Sequence, residues 1–200
     1  VKIASEKINK LKAKQMPITI EEIQLFKENL PFKLTNAQER TIKEISDDIS
    51  LAKPMRRLVQ GDVGSGKTVV AAVSMYISAK NNTQSVLLCP TEVLAEQHFK
   101  NFSVWFKNSN IKIELLTGKM PISKRRGIYQ DLEDGVIDIL IGTHAVFQDK
   151  VKMKNLGLVV VDEQQRFGVK QRFDLVKKSS DQIMPHQLFM TATPIPRTLA

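Results

Sequence analysis

A single cysteine, Cys89, and three scattered histidines, His98, His144 and His186, are all the thiol and imidazole ligands that the 200 residues contain. One thiol cannot close an intrachain disulfide, and these positions have no zinc-ligand spacing, so a disulfide scaffold and a zinc module are both excluded. Long hydrophobic runs are missing too. Runs such as 86–89 and 158–161 fall far short of the roughly 20 apolar residues that span a bilayer. No charged-then-apolar leader opens the chain, so a reducing, cytoplasmic setting with no membrane partner is expected. Internal repeats and low-complexity tracts are absent. With 42% hydrophobic and 26% charged residues the composition is that of a folded domain and not of a disordered chain.

Positive charge is plentiful and uneven. Thirty Lys and Arg stand against 21 Asp and Glu, for a net +9. Segments 1–14, 119–126 and 166–178 each carry a net charge of about +4, so the rest of the chain is slightly acidic. Basic excess gathered into patches suits a polyanionic partner, although each patch taken alone reads equally well as a solvated face.

Along the chain, a Lys-rich stretch leads through Pro17 into a helical pattern over 20–30, with Ile23, Phe26 and Leu30 in phase. Residues 1–30 are expected to form a linker and helical lead-in from an upstream domain. Pro31 and Phe32 begin a new unit, running from 31 to 200. Residues 36–51 place Ile42, Ile45 and Ile49 on one helical face. After Pro54, short apolar strands (57–60, 85–89, 111–116, 137–141, 158–161, 188–190) alternate with helical stretches. The helix after the first strand offers Val69, Val73, Tyr76 and Ile77 as its stripe, and the next offers Ala95, Phe99, Phe102 and Phe106. Trp105 and Phe106 read as core. Apolar strands separated by helices predict an α/β fold, a mostly parallel sheet covered on both faces. Such folds bind ligands beyond the carboxyl ends of their strands.

The chemistry-bearing segments fall at those ends. Gly61, Gly64, Ser65, Gly66, Lys67 and Thr68 form G-x-x-x-x-G-K-[ST] between a strand and a helix. Small residues let backbone N–H groups wrap a phosphate at a helix N-terminus, Lys67 reaches the terminal phosphates and the Thr68 hydroxyl helps hold Mg²⁺. The buried run 158–161 ends in Asp162 and Glu163, suited to holding the metal and polarising an attacking water, respectively. Gln38 follows Thr35 by three residues. From spacing alone this is a capping box; the functional reading is a paired hydrogen bond to an adenine edge, with Phe32 as an apolar wall. Thr191, Ala192 and Thr193 follow the last strand and could link a nucleotide's phosphate state to a neighbouring site, or simply cap the turn before Pro194. Pro90 and Thr91, Gly118 and Lys119, and Gly142, Thr143 and His144 also lie just past strands, where hydroxyls and helix N-termini suit nucleic-acid phosphates. Strand-to-helix loops favour such residues in any case; their shared location is the stronger argument.

In order, these segments resemble superfamily 2 helicases, and most closely the RecG-type branch-migrating DNA helicases. The resemblance covers about 31–200. It rests on Pro31-Phe32-Lys33-Leu34-Thr35 with Gln38, the phosphate loop, the run from Pro90 to His98, Gly142-Thr143-His144-Ala145, Asp162-Glu163-Gln164, Arg166-Phe167-Gly168-Val169 and the run from Thr191 to Thr198. The Arg166 and Thr191 segments are shared with the transcription-repair coupling factor, whose translocase motor is the alternative. The resemblance implies a RecA-like fold, use of ATP and Mg²⁺, and ATP-driven movement on duplex DNA that remodels forked or branched substrates. It reassigns Gln38 to adenine reading. It also implies a second RecA-like domain, absent from these residues, that supplies arginines to the γ-phosphate, and an upstream wedge domain; alone, the 200 residues are expected to be nearly inactive. Gln165 stands where the family usually has His, a position tied to coupling hydrolysis to DNA. A small P-loop kinase or GTPase is a poorer fit, since no Asn-Lys-x-Asp base-reading motif is present. A binding module with a vestigial loop is disfavoured by Lys67, Thr68, Asp162 and Glu163 together.

Overall fold

The computed structural model describes residues 11–62, 64, 66–163 and 183–192. Two capped helices come first. In α1 (Ile20–Glu28) the Thr19 hydroxyl accepts from the Glu22 N–H while the Glu22 carboxylate accepts from the Thr19 N–H. In α2 (Asn36–Ile49) Thr35 and Gln38 repeat that reciprocal arrangement. Ile42, Ile45 and Ile49 are buried, as their phase requires.

There follow β1 (Arg56–Gln60), α3 (Lys67–Lys80), β2 (Gln84–Leu88), α4 (Glu92–Trp105), β3 (Ile113–Leu116), α5 (Ile122–Glu133), β4 (Ile139–Gly142), a short 3₁₀ turn (His144–Phe147), β5 (Leu156–Asp162) and β6 (His186–Thr191). The six strands pair in the order β1-β6-β5-β2-β4-β3, and every pairing is parallel. Strand residues alternate between two cores. Leu87, Ile141, Val160 and Leu188 meet α2, α3 and α4 on one face. Leu88, Leu140, Val161 and Phe189 meet Ile128 and Leu132 of α5 on the other.

Three features differ from the sequence expectation. The edge strand β1 alternates exposed and half-buried residues instead of being wholly apolar, because only one of its sides is paired. Helix α3 is buried from Val69 to Ser78 on all sides, since it lies between the sheet and both N-terminal helices; Phe26 of α1 stacks on its Tyr76 at 4.7 Å. Helix α5 carries no strong apolar stripe, with only Ile128 and Leu132 buried, and periodicity alone did not reveal it.

Residues 11–30, expected as a lead-in, share the domain's core. Met16 is fully buried, and its N–H donates to Ile49 O at 2.8 Å. Its Cε lies 2.3 Å from where a Cβ on Gly157 would stand. Buried His186 completes the attachment: its Nδ1 accepts from the Met55 N–H at 2.9 Å and its Nε2 donates to Lys14 O at 2.7 Å. Burial holds the His186 pKa below the usual histidine value, although the Lys14 bond and the nearby Asp48 partly oppose it. Protonation would put a second proton on Nδ1 and break the Met55 bond. Because the unfolded chain binds that proton more readily, stability falls as pH drops below about 6.5 and is fully present above it. Denaturant melts should show up to about 1.4 kcal/mol per pH unit of this loss. In His186→Gln the loss between pH 6.5 and 5 should vanish, and an unchanged slope would refute the assignment.

No helix among the described residues is long and apolar enough to cross a membrane.

Candidate nucleotide and nucleic-acid site

Among the described residues, the motif-bearing loops that follow strands leave the carboxyl edge of the sheet, and the strand order divides them. At one end, β1, β6 and β5 deliver the phosphate loop, Thr191 and the Asp162-Glu163 pair side by side. Gln60 is in register with Thr191, Met190 with Asp162, and the Gly61 N–H donates to Thr191 O at 3.2 Å. At the other end, β2, β4 and β3 deliver Pro90-Thr91, Gly142-Thr143-His144 and Gly118-Lys119.

The phosphate loop is built from left-handed glycines. Gly64 has φ +82° and open space where a side chain would stand; Gly66 has φ +79° and is the N-cap of α3, with no side chain capping the helix. No side chain therefore competes for the N-terminus of α3, although the Val69 N–H donates to Gly66 O at 3.3 Å, and an uncapped helix N-terminus is where a phosphate binds. Lys67 Nζ donates to the carbonyls of Gly61 (2.6 Å) and Asp62 (2.8 Å), which fixes it over the loop. Thr68 lies one residue further and is partly exposed. The positive-φ glycines leave this loop open to a phosphate group, and the Thr68 hydroxyl and the Asp162 carboxylate are the oxygens that could hold a divalent cation beside it. The cation, when bound, offsets phosphate charge.

Gln38 serves the cap and the loop together. Its Oε1 accepts from the Thr35 N–H at 2.9 Å, and its Nε2 donates to Gly66 O at 3.4 Å. Phe32 is 43% exposed, packs edge-on against Trp105 at 5.7 Å, and lines a cleft of about 550 Å³ with Lys27, Leu34 and Glu39. A Cβ on Gly66 would sit 2.0 Å from Gln38 Nε2. Gly66→Ala therefore meets both backbone strain, about 1–2 kcal/mol, and a displaced Gln38. It should weaken nucleotide binding by roughly tenfold or more while the far-ultraviolet dichroism is unchanged; wild-type affinity by titration would contradict this.

Asp162 ends β5, is 9% exposed, and its Oδ2 lies 2.8 Å from His98 Nε2. Buried Cys89 is close enough that Asp162 adds to the effect of burial in raising its thiol pKa far above the usual range. Glu163 is half-buried with φ +55°. Positive φ in a non-glycine residue costs of order 1–3 kcal/mol and persists only where the surroundings enforce it. Ala192 is half-buried beside Thr191, which is buried. Ser65, Gln165 and Thr193 lie outside the described residues.

In the second group, Thr91 is exposed and caps α4 by accepting from the Leu94 N–H at 3.3 Å. Pro90 is half-buried before it. Gly118 and Lys119 are exposed, but the Lys119 ammonium pairs with Glu92 at 2.8 Å and lowers that carboxyl's pKa. The free positive charge of 119–126 thus passes to exposed Lys124 and Arg126. Gly142 is closely packed, since a Cβ there would lie 2.6 Å from Leu116 O, and Thr143 is 2% exposed; of these three residues only His144 presents an exposed side chain.

Sequence reasoning missed His98. The available signal was a polar residue at a core position of α4, in helical phase with buried Ala95, Phe102 and Trp105.

A parallel sheet with a phosphate loop after its edge strand and an acidic pair ending an inner strand defines a RecA-like P-loop nucleotide-binding domain. The chain belongs to the DEAD/DEAH box helicase family, which it matches over residues 35–200. Among curated proteins it is similar to the ATP-dependent DNA helicase RecG of Aquifex aeolicus, 48% identical over 198 residues, 99% of this chain and 25% of the relative. The ATP-dependent DNA helicase RecG of Bacillus subtilis is 50% identical over 180 residues, 90% of this chain and 26% of the relative. Among solved structures, RecG bound to a three-way DNA junction superposes with a TM-score of 0.83 at 41% identity, covering 98% of this chain and 26% of that one. The chain spans about a quarter of the length of the curated relatives it matches.

Proposed function

We propose that this chain is the ATP-binding half of a DNA motor of the RecG kind, which uses ATP and Mg²⁺ to move on duplex DNA and remodel forked or branched junctions. The observation that carries the reading is the division of the sheet edge: the glycine-rich G-x-x-x-x-G-K-T loop, Thr191 and the acidic pair follow β1, β6 and β5, and polar, partly exposed loops follow β2, β4 and β3. In this reading the phosphate loop and Lys67 hold the triphosphate, with Gln38 steadying the loop and reading the adenine. Thr68 and Asp162 hold Mg²⁺, Glu163 orients the attacking water and takes its proton, and Thr191 relays the state of the site. Thr91, His144 and the basic start of α5 meet DNA phosphates.

The relatives' greater length supports a second motor domain and a junction-binding domain elsewhere in the full protein. Arginines contributed across such an interface are worth about 10³–10⁵ in phosphoryl-transfer rate, so these 200 residues alone should turn over ATP very slowly. The test is processing of a synthetic three-way junction by the full-length protein. ATP should drive strand exchange, and binding should be insensitive to base sequence and fall steeply with salt. Salt-independent binding, or ATP turnover that junction DNA leaves unchanged, would defeat the proposal.

A further inference from the structure

We infer that His98 is a positioning residue for the divalent cation: its ring holds the Asp162 carboxylate and ties it to the helix that starts at the Pro90-Thr91 loop. This rests on the nucleotide-site reading above. His98 lies in α4, seven residues after Thr91. Its neighbours on the buried stripe, Ala95, Phe102 and Trp105, are apolar. The ring is only 7% exposed, and its Nε2 meets Asp162 Oδ2 at 2.8 Å. The other nitrogen, Nδ1, is buried and has no hydrogen-bond partner among the described residues.

Packing alone does not account for a histidine there. An apolar side chain would fill the same space without leaving a buried nitrogen unsatisfied, and burying such a group is unfavourable. The retained contact is the bond to Asp162. A carboxylate at a strand end can rotate about its side-chain torsions, and an N–H donor on Oδ2 removes that freedom, so that the carboxylate would meet a cation already oriented. Partners of this kind, one bond removed from a metal, typically change metal affinity by roughly 10–100-fold when lost. Thr91 caps the helix that carries His98, so one helix connects the Thr91 loop to the Asp162 carboxylate.

The test uses the full-length protein and a fluorescent ATP analogue, titrated with Mg²⁺ after binding in EDTA. His98→Ala should raise the half-saturating Mg²⁺ concentration by roughly 10–100-fold, with metal-free nucleotide affinity unchanged. His98→Gln can place an amide N–H near the Nε2 position and should recover most of the loss. His98→Asn, too short to reach, should behave like alanine. If all three variants keep the wild-type Mg²⁺ midpoint, or all three share one shifted midpoint, the inference is overturned and the role is packing. Lys67→Ala separates this from failure of the underlying reading. If it leaves analogue binding intact, the nucleotide-site assignment falls, and the role of His98 with it.

Discussion

Glu163→Gln in the full-length protein is expected to slow ATP turnover by on the order of 10²–10⁴-fold, the range for losing a positioned general base, with nucleotide binding intact. The expectation starts from the backbone. Residues 156–162 form a strand buried along its whole length, which fixes Asp162 and leaves Glu163 as the first residue beyond it. There the chain turns with φ +55°. Glutamine is close in size and tolerates that conformation as glutamate does, so the fold is preserved while the proton acceptor is lost. Single-turnover hydrolysis alongside equilibrium binding makes the measurement. A variant that retains more than about a tenth of wild-type turnover would remove Glu163 from the base role.

Lys67→Ala should act one step earlier. Its ammonium is held by the carbonyls of Gly61 and Asp62, directly over a loop whose glycines keep the backbone open to phosphate. Loss of one preorganised donor of this kind costs roughly 10²–10³ in rate, and in the proposed site the loss should extend to binding, since the charge would meet the ground-state phosphates as well. Calorimetric titration should find nucleotide affinity strongly reduced. Gly61 is half-buried and Asp62 exposed, so water can take the place of the ammonium at their carbonyls and stability should change little. Wild-type binding in this variant would return the loop to a glycine-rich turn. The two substitutions are complementary, because one abolishes turnover with the ligand still bound and the other prevents binding.

Much of this was legible in the chain itself. Alternation of apolar strands with helices implied a parallel sheet covered on both faces, and it is wholly parallel. The phosphate loop and the acidic pair are local patterns whose chemistry depends on adjacent residues, so spacing was enough to find them. The capping box at Thr35 and Gln38 was legible for the same reason, and the structure adds that the same glutamine also reaches Gly66. Helix α5 was not legible: most of its residues are polar, and its two buried side chains leave too weak a period to read.

What the sequence by itself determined is where the chemistry-bearing residue types stand: a glycine loop with Lys67 and Thr68 after one strand, Asp162 and Glu163 at the tip of another, and hydroxyl or basic residues after others. Only the tertiary structure decided how those residues are grouped. Strand order depends on crossovers between segments far apart in the chain, and no local pattern encodes that β6 inserts between β1 and β5. The same long-range packing joins residues 11–30 to the core through Met16 and His186, neutralises Lys119 with Glu92, and brings His98 within 2.8 Å of Asp162, 64 positions away. Side-chain identity fixes what a group can do, and burial across the sheet fixes which group it does it with.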